Sequence, residues 1–209
     1  MDYGTSSFID MFRAIARSMD ANRDQLCALD GVIGDADHGI AMQQGFGAVE
    51  KALDGLPAEA SPTDVFNTAA KAFLNAVGAS SGPLYATAMM RAGAALKGKA
   101  VASAEDVAQL IPAMTQGIAD RGKAAPGDKT MLDAWSAASD MVVSMLGGGA
   151  AILSAAAEAA AAGAEATKAL EAKMGRAARL GTRSVGHVDP GAASAALVIK
   201  AMSEALKGA

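Results

Sequence analysis

Apolar residues recur along this chain at three- and four-residue spacing, and short breaks rich in Gly, Pro or Asp end each run. That period belongs to the α-helix; a half-buried strand would alternate with period two. Phe8, Met11, Phe12, Ile15 and Met19 share one face and predict a first helix over Ser6–Leu29. Met42, Phe46, Val49 and Leu53 do the same for Ile40–Leu53. Ser61-Pro62-Thr63-Asp64 supplies a hydroxyl cap, an early proline and an acidic first turn for a helix reaching Val77. Leu84–Leu96, Ala104–Arg121, Met131–Leu146, Ala150–Met174 (broken near Gly163) and Ala192–Leu206 bring the total to about eight helices. No segment of comparable strength alternates with period two.

Only 4% of the chain is aromatic while 52% is hydrophobic, so Ala, Leu, Met and Val must fill the core. Ala loses no rotamer entropy on entering a helix, which favours the same reading. About eight connected amphipathic helices suit an all-α, antiparallel up-and-down bundle or barrel. No composition shift or long linker divides the 209 residues, so 1–209 is expected to form a single domain. The net charge of −4 provides no broad basic field, which argues against nucleic acid as a partner. The first residues, MDYGTSSFIDMF, lack a basic stretch followed by an apolar one, and the Ala-rich tract 147–166 carries Glu158 and Glu165. No membrane segment is expected, and a lone Cys27 fits a reducing, cytoplasmic setting.

The unusual chemistry falls in four breaks: 30–39, 78–83, 122–130 and 181–191. In the first, Asp30, Asp35 and Asp37 stand at spacing i, i+5, i+7 with Gly31, Gly34 and Gly39 between or beside them. That spacing suits a folded loop better than one helix face. Closely held carboxylates without nitrogen or sulfur partners favour a hard cation, Mg²⁺ before Zn²⁺. The alternative is that Asp30 and Asp35 cap helix ends and Asp37 is a solvated turn residue. His38 beside them is a candidate donor to a phosphate oxygen. Gly78-Ala79-Ser80-Ser81-Gly82-Pro83 offers small side chains and backbone N–H groups just before a helix, a place where phosphate can sit. An interhelical turn would look the same, and the Walker pattern is absent. In the third break Thr130 and Asp128 read equally as caps and Met131 as core. In the fourth, Asp189-Pro190-Gly191 has an ordinary turn-and-cap explanation. Arg176, Arg179 and Arg183 nearby can screen phosphate or simply be solvated. No nucleophile–base set for covalent catalysis emerges.

Taken together, LDGVIGDADHG (29–39), GASSGPLYAT (78–87), RGKAAPGDKTMLDAW (121–135) and GRAARLGTRSVGHVDPGAAS (175–194) resemble, in order, the L-subunit family of dihydroxyacetone kinases. The resemblance implies a barrel of antiparallel helices with a nucleotide site among the loops at one end. It implies that Asp30, Asp35 and Asp37 hold two Mg²⁺ ions, which in turn hold the phosphates of ADP or ATP. It assigns phosphate contacts to His38, Gly39, Ala79, Ser80 and Ser81, and the rest of the nucleotide pocket to Gly122, Thr130, Met131, Arg176, Asp189, Pro190 and Gly191. It further implies a separate ketose-binding K subunit, an M-type phosphotransferase protein that rephosphorylates bound ADP, and dihydroxyacetone or a related short ketose as acceptor. An ATP-dependent triose or tetrose kinase subunit and a non-catalytic regulatory module are the competing expectations. The chain departs from the family pattern at Ala41 (commonly Asn), Gln44 (often Arg) and Ser80 (usually Ala).

Overall fold

A computed structural model describes residues 2–145 and 151–207. The described residues hold nine α-helices: α1 (Thr5–Ala21), α2 (Arg23–Ile33), α3 (His38–Leu53), α4 (Pro62–Ala76), α5 (Ser81–Ala95), α6 (Ala104–Gly122), α7 (Met131–Ser144), α8 (Ala151–Ala166) and α9 (Pro190–Leu206). Eight of them close a ring: α1 packs on α3, each later helix packs on the next, and α9 returns to α1. The short α2 lies against α3 and α9. The all-α expectation therefore holds.

The first predicted helix is in fact two. Apolar spacing runs through the break, but Asn22 Nδ2 donates to the Ser18 carbonyl at 2.8 Å and its backbone N–H to the same oxygen at 3.1 Å. An Asn side chain that competes for backbone partners ends α1 there. The helix expected to break near Gly163 instead runs through it and stops at Ala166, passing into a 3₁₀ turn, Thr167–Ala169. Gly163 is a spacer: a Cβ there would stand 2.7 Å from the Asp133 carbonyl and 2.9 Å from Ala137 Cβ on α7. Met131–Leu146 ends at Ser144, and the expected boundaries at Leu146 and Ala150 lie outside the described residues. One short ladder was not expected. β1 (Asp2–Tyr3) pairs antiparallel with β2 (Ala102–Ser103), and Tyr3 Oη donates to the Leu206 carbonyl at 2.9 Å, tying the two ends of the chain together.

All five Phe, both Tyr and the single Trp are buried, so the scarce aromatic side chains are spent entirely inside the ring. Phe66 meets Phe8 and Phe12 edge to face, each pair at 5.3 Å. Phe46, Phe73, Tyr85 and Trp135 form a second aromatic chain towards α7. Such edge-to-face pairs add about 0.5–1.5 kcal/mol each beyond their buried area. Among the described residues, no helix is long and apolar enough to cross a membrane.

Candidate functional site

The ring's alternation determines what gathers at one end. The starts of α3, α5, α7 and α9 and the ends of α2 and α6 all border one cavity of about 670 Å³. Four helix N-termini thus bring their positive dipole ends to the border of a single space. This local device favours an anion inside a protein whose net charge is −4.

Asp30 is not in a loop, as the spacing suggested, but in the last turn of α2, where it is buried. Its Oδ2 accepts from the backbone N–H groups of Asp37 at 3.0 Å and His38 at 3.2 Å, which folds the loop 34–37 back over the helix end. Gly34 is required at that fold, since any Cβ would collide with Asp30 Oδ1. Ala36, at φ 63°, completes the reversal in the left-handed region. Asp35 and Asp37 stay exposed, and one oxygen from each of Asp30, Asp35 and Asp37 lies within 4.8 Å of the others. An all-carboxylate oxygen set at this separation fits a hard divalent cation such as Mg²⁺. Arg176 Nη1 reaches Asp35 Oδ2 at 2.9 Å and brings a positive group to the same rim.

His38 opens α3, and its Nε2 lies 2.8 Å from Ser194 Oγ on α9. Burial holds the imidazole below its ordinary pKa, against the opposing pull of Asp30 and Asp37. Ala79, Ser80 and Ser81 form the turn into α5, which starts three residues earlier than the expected Leu84. Neither Asp37 at the start of α3 nor Ser80 at the start of α5 caps its helix through its side chain. At the start of α3 the His38 N–H is taken by Asp30 Oδ2, and at the start of α5 the Gly82 N–H donates to the Ala79 carbonyl while Pro83 has none to give.

The other two N-termini are capped from within. Thr130 Oγ1 accepts from Leu132 N–H at 3.1 Å, and Asp133 Oδ2 answers by accepting from Thr130 N–H at 2.7 Å. Asp189 Oδ2 accepts from Ala192 N–H at 2.7 Å, so the turn-and-cap reading of both residues is correct alongside any other role. Burial pushes the Asp189 carboxyl up to about 7, although the Ala192 N–H and nearby Lys129 favour its ionised form. Gly191 sits where a Cβ would be 3.4 Å from Met131 N, so α7 and α9 abut here.

Of the residues expected at the site, Asp30, Asp35, Asp37, His38, Ala79, Ser80, Ser81, Gly122, Thr130, Met131, Arg176, Asp189, Pro190 and Gly191 all border this cavity. Gly39 does not. It is buried between α2 and α3, where a Cβ would collide with the Arg23 carbonyl, so it serves the packing that positions His38. Sequence reasoning missed Lys129, which borders the cavity and is buried, and the apolar wall of Ile33, Leu84, Ile118, Leu132 and Met174. A lysine in a Gly- and Asp-containing break carries no sequence signal of burial.

A family model described as the DAK2 domain matches residues 32–204. The ADP-binding subunit DhaL of PEP-dependent dihydroxyacetone kinase 1 from Listeria innocua is 41% identical over 182 residues, covering 87% of this chain and 86% of its own length. The corresponding subunit from Escherichia coli is 35% identical, covering 88% of this chain and 89% of its own length. The dihydroxyacetone kinase of C. freundii, solved with AMP-PNP and Mg²⁺, superposes with a TM-score of 0.73 at 25% identity over 98% of this chain. The present chain spans 34% of that larger one.

Proposed function

The chain belongs to the DAK2-domain family, and we propose that it is the nucleotide-binding subunit of a dihydroxyacetone-type kinase, acting on a short ketose held by a separate K subunit. The observation that carries this reading is the meeting on one cavity of the three-carboxylate cluster with four helix N-termini. Carboxylates alone would repel a polyphosphate, and helix ends alone would not hold a cation. Side by side they match a metal–nucleotide pair. The names of the DhaL relatives and of the AMP-PNP and Mg²⁺ complex support the same ligands.

In this reading Asp30, Asp35 and Asp37 hold Mg²⁺, two ions in all. Asp30 is the fixed member, because two backbone amides pin one of its oxygens and leave the other for the cation. Bound Mg²⁺ supplies the positive charge that screens phosphate oxygens and stabilises charge on a transferring phosphoryl group. His38 and the backbone N–H groups around Ala79, Ser80 and Ser81 receive the phosphates. Gly122, Thr130, Met131, Arg176 and Asp189–Gly191 surround the nucleoside, with Leu84, Ile118 and Leu132 as its apolar wall. In this reading the acceptor is held by the separate K subunit, docked over the nucleotide loops, as the family resemblance implies. An M-type phosphotransferase protein recharging bound ADP suits the resemblance to PEP-dependent subunits; the closed ring supports residues 1–209 as a single domain, and the lone Cys27 suits a reducing cytoplasm.

Mixing the purified chain with its K partner and ³²P-labelled nucleotide tests the reading. Label appearing in dihydroxyacetone phosphate is the expected result, and ADP surviving dialysis assigns the coenzyme role. The L-erythrulose 1-kinase of Mycolicibacterium smegmatis, 38% identical over 188 residues that make up 33% of its length, makes erythrulose the second acceptor to try. Tight Mg·ADP binding without transfer to any three- or four-carbon ketose would overturn the kinase reading.

A further inference from the structure

Three stretches of chain that are far apart in sequence end at one ammonium group. Lys129 Nζ donates to the Thr167 carbonyl at 2.7 Å and to the His187 carbonyl at 2.5 Å. Its side chain is buried to 1% exposure, and its backbone sits at φ 60°, in the left-handed region that L side chains avoid. Neither feature helps the fold by itself. A buried ammonium gives up its hydration, and glycine would adopt that backbone at no steric cost. Backbone held in such a region, beside a ligand cavity, points to a role beyond packing.

The surrounding bonds show what the ammonium organises. Thr167 Oγ1 accepts from Asp189 N–H at 2.9 Å, and Gly186 N–H donates to the Lys168 carbonyl at 2.7 Å. Lys129 is followed directly by Thr130 and Met131 at the start of α7, while Asp189, Pro190 and Gly191 form the start of α9. The lysine therefore joins the stretch before α7, the stretch after α8 and the stretch before α9. Two of these carry five of the residues assigned to the nucleoside.

We propose that Lys129 is the positioning residue of the nucleotide site, a clamp whose two hydrogen bonds hold the N-termini of α7 and α9 at the spacing the nucleoside requires. The proposal rests on the nucleotide-binding reading above and adds to it a residue outside the metal cluster. Two carbonyl acceptors on separate segments fix the clamp's geometry, and a shorter or neutral side chain at 129 releases both. The metal cluster is built on α2 and the turn into α3 and does not depend on it.

The test uses the full chain with Lys129→Met and Lys129→Arg. Three readouts are taken well below the melting transition: Mg·ADP affinity by calorimetry, Mn²⁺ binding without nucleotide, and amide exchange over 128–133 and 186–191. Lys129→Met is expected to lose about tenfold or more in Mg·ADP affinity, to exchange faster in both segments, and to bind Mn²⁺ as the parent does. Lys129→Arg, which keeps charge and donors, is expected to recover part of the affinity. A lowered melting temperature with parental Mg·ADP affinity would make Lys129 a purely structural residue and overturn the proposal. If Lys129→Met does not fold, the shorter and neutral Lys129→Gln decides: parental affinity together with parental exchange overturns the clamp. Failure of the parent itself to bind Mg·ADP overturns the nucleotide reading, and parental exchange at 186–191 in the variants would then overturn the clamp separately.

Discussion

His38 and Ser194 are 156 residues apart in sequence, yet His38 Nε2 and Ser194 Oγ stand 2.8 Å apart and bind the start of α3 to the first turn of α9. Ser194 has a single hydroxyl proton, and it points to the Gly191 carbonyl at 2.9 Å. With that bond made, His38 must donate from Nε2, and its Nδ1 carries a lone pair. A phosphate oxygen needs a donor instead. The other tautomer supplies one: the ring gives its Nε2 proton to solvent and takes one at Nδ1, and the Ser194 hydroxyl rotates to donate to Nε2.

Ser194→Ala removes this exchange. Its expected effect is a loss of about 1 kcal/mol in Mg·ADP binding, roughly fivefold in affinity, beside a drop in thermal stability from the unpartnered imidazole. Calorimetry gives the affinity, and imidazole ¹⁵N shifts of His38 with and without nucleotide report the tautomer. Identical affinity and an unaltered tautomer in the variant would detach Ser194 from phosphate recognition.

Asp35→Asn tests the metal cluster at its exposed end. Asp35 contributes one of three oxygens within 4.8 Å, so losing its charge should cost at least the order of tenfold in cation affinity seen for groups that merely support a ligand. Mg²⁺-dependent nucleotide binding is expected to fall below detection at micromolar protein while the helical circular dichroism stays unchanged. The Arg176–Asp35 pair is lost as well, but it is exposed and contributes little to stability. Nucleotide binding that stays Mg²⁺-dependent at parental strength would remove Asp35 from the cluster.

Helix periodicity was legible in the sequence because each helix buries one stripe, and a buried stripe leaves its spacing in the chain. Phe8, Met11, Phe12, Ile15 and Met19 are all buried as their spacing predicts. Features set by local polar competition or by distant partners were not legible. Asn22 ends α1 through a bond to Ser18 that apolar spacing does not register. Gly163 reads as a breaker and is a spacer only because α7 presses against it. Lys129 is buried by carbonyls 38 and 58 residues away in sequence. Most of the expected site residues do border one cavity, since the turns that join alternate helices return to the same end of the ring.

Gly163→Ala sets helix propensity against packing. In an isolated helix the change would stabilise by about 1 kcal/mol. Here the new Cβ would stand 2.7 Å from the Asp133 carbonyl and 2.9 Å from Ala137 Cβ, and overpacking of this kind costs about 1–3 kcal/mol. A net loss of about 1 kcal/mol or more is expected in urea unfolding. Because Asp133 also caps α7 through Thr130, nucleotide affinity should fall with it. A more stable variant would show that α7 and α8 separate at no cost.

Asp189 should make the protein less stable as pH rises. Its carboxyl titrates near 7 in the fold, against about 3.9 in an unfolded chain. Between those values the folded state holds a proton that the unfolded state has released, so unfolding free energy falls with increasing pH. The contribution is complete below about pH 4 and lost as pH passes through about 7, with an upper limit of about 4 kcal/mol. His38, held below its usual value by burial, works the other way and lowers stability as pH drops below about 6.5. Subtracting the curve of Asp189→Asn isolates the first effect, since Asn keeps the cap to Ala192 without the charge. Parent minus variant should slope downward from pH 4 to pH 7 in urea unfolding at fixed ionic strength. A flat difference would mean that Asp189 is ionised in the fold, its charge offset by the Lys129 ammonium.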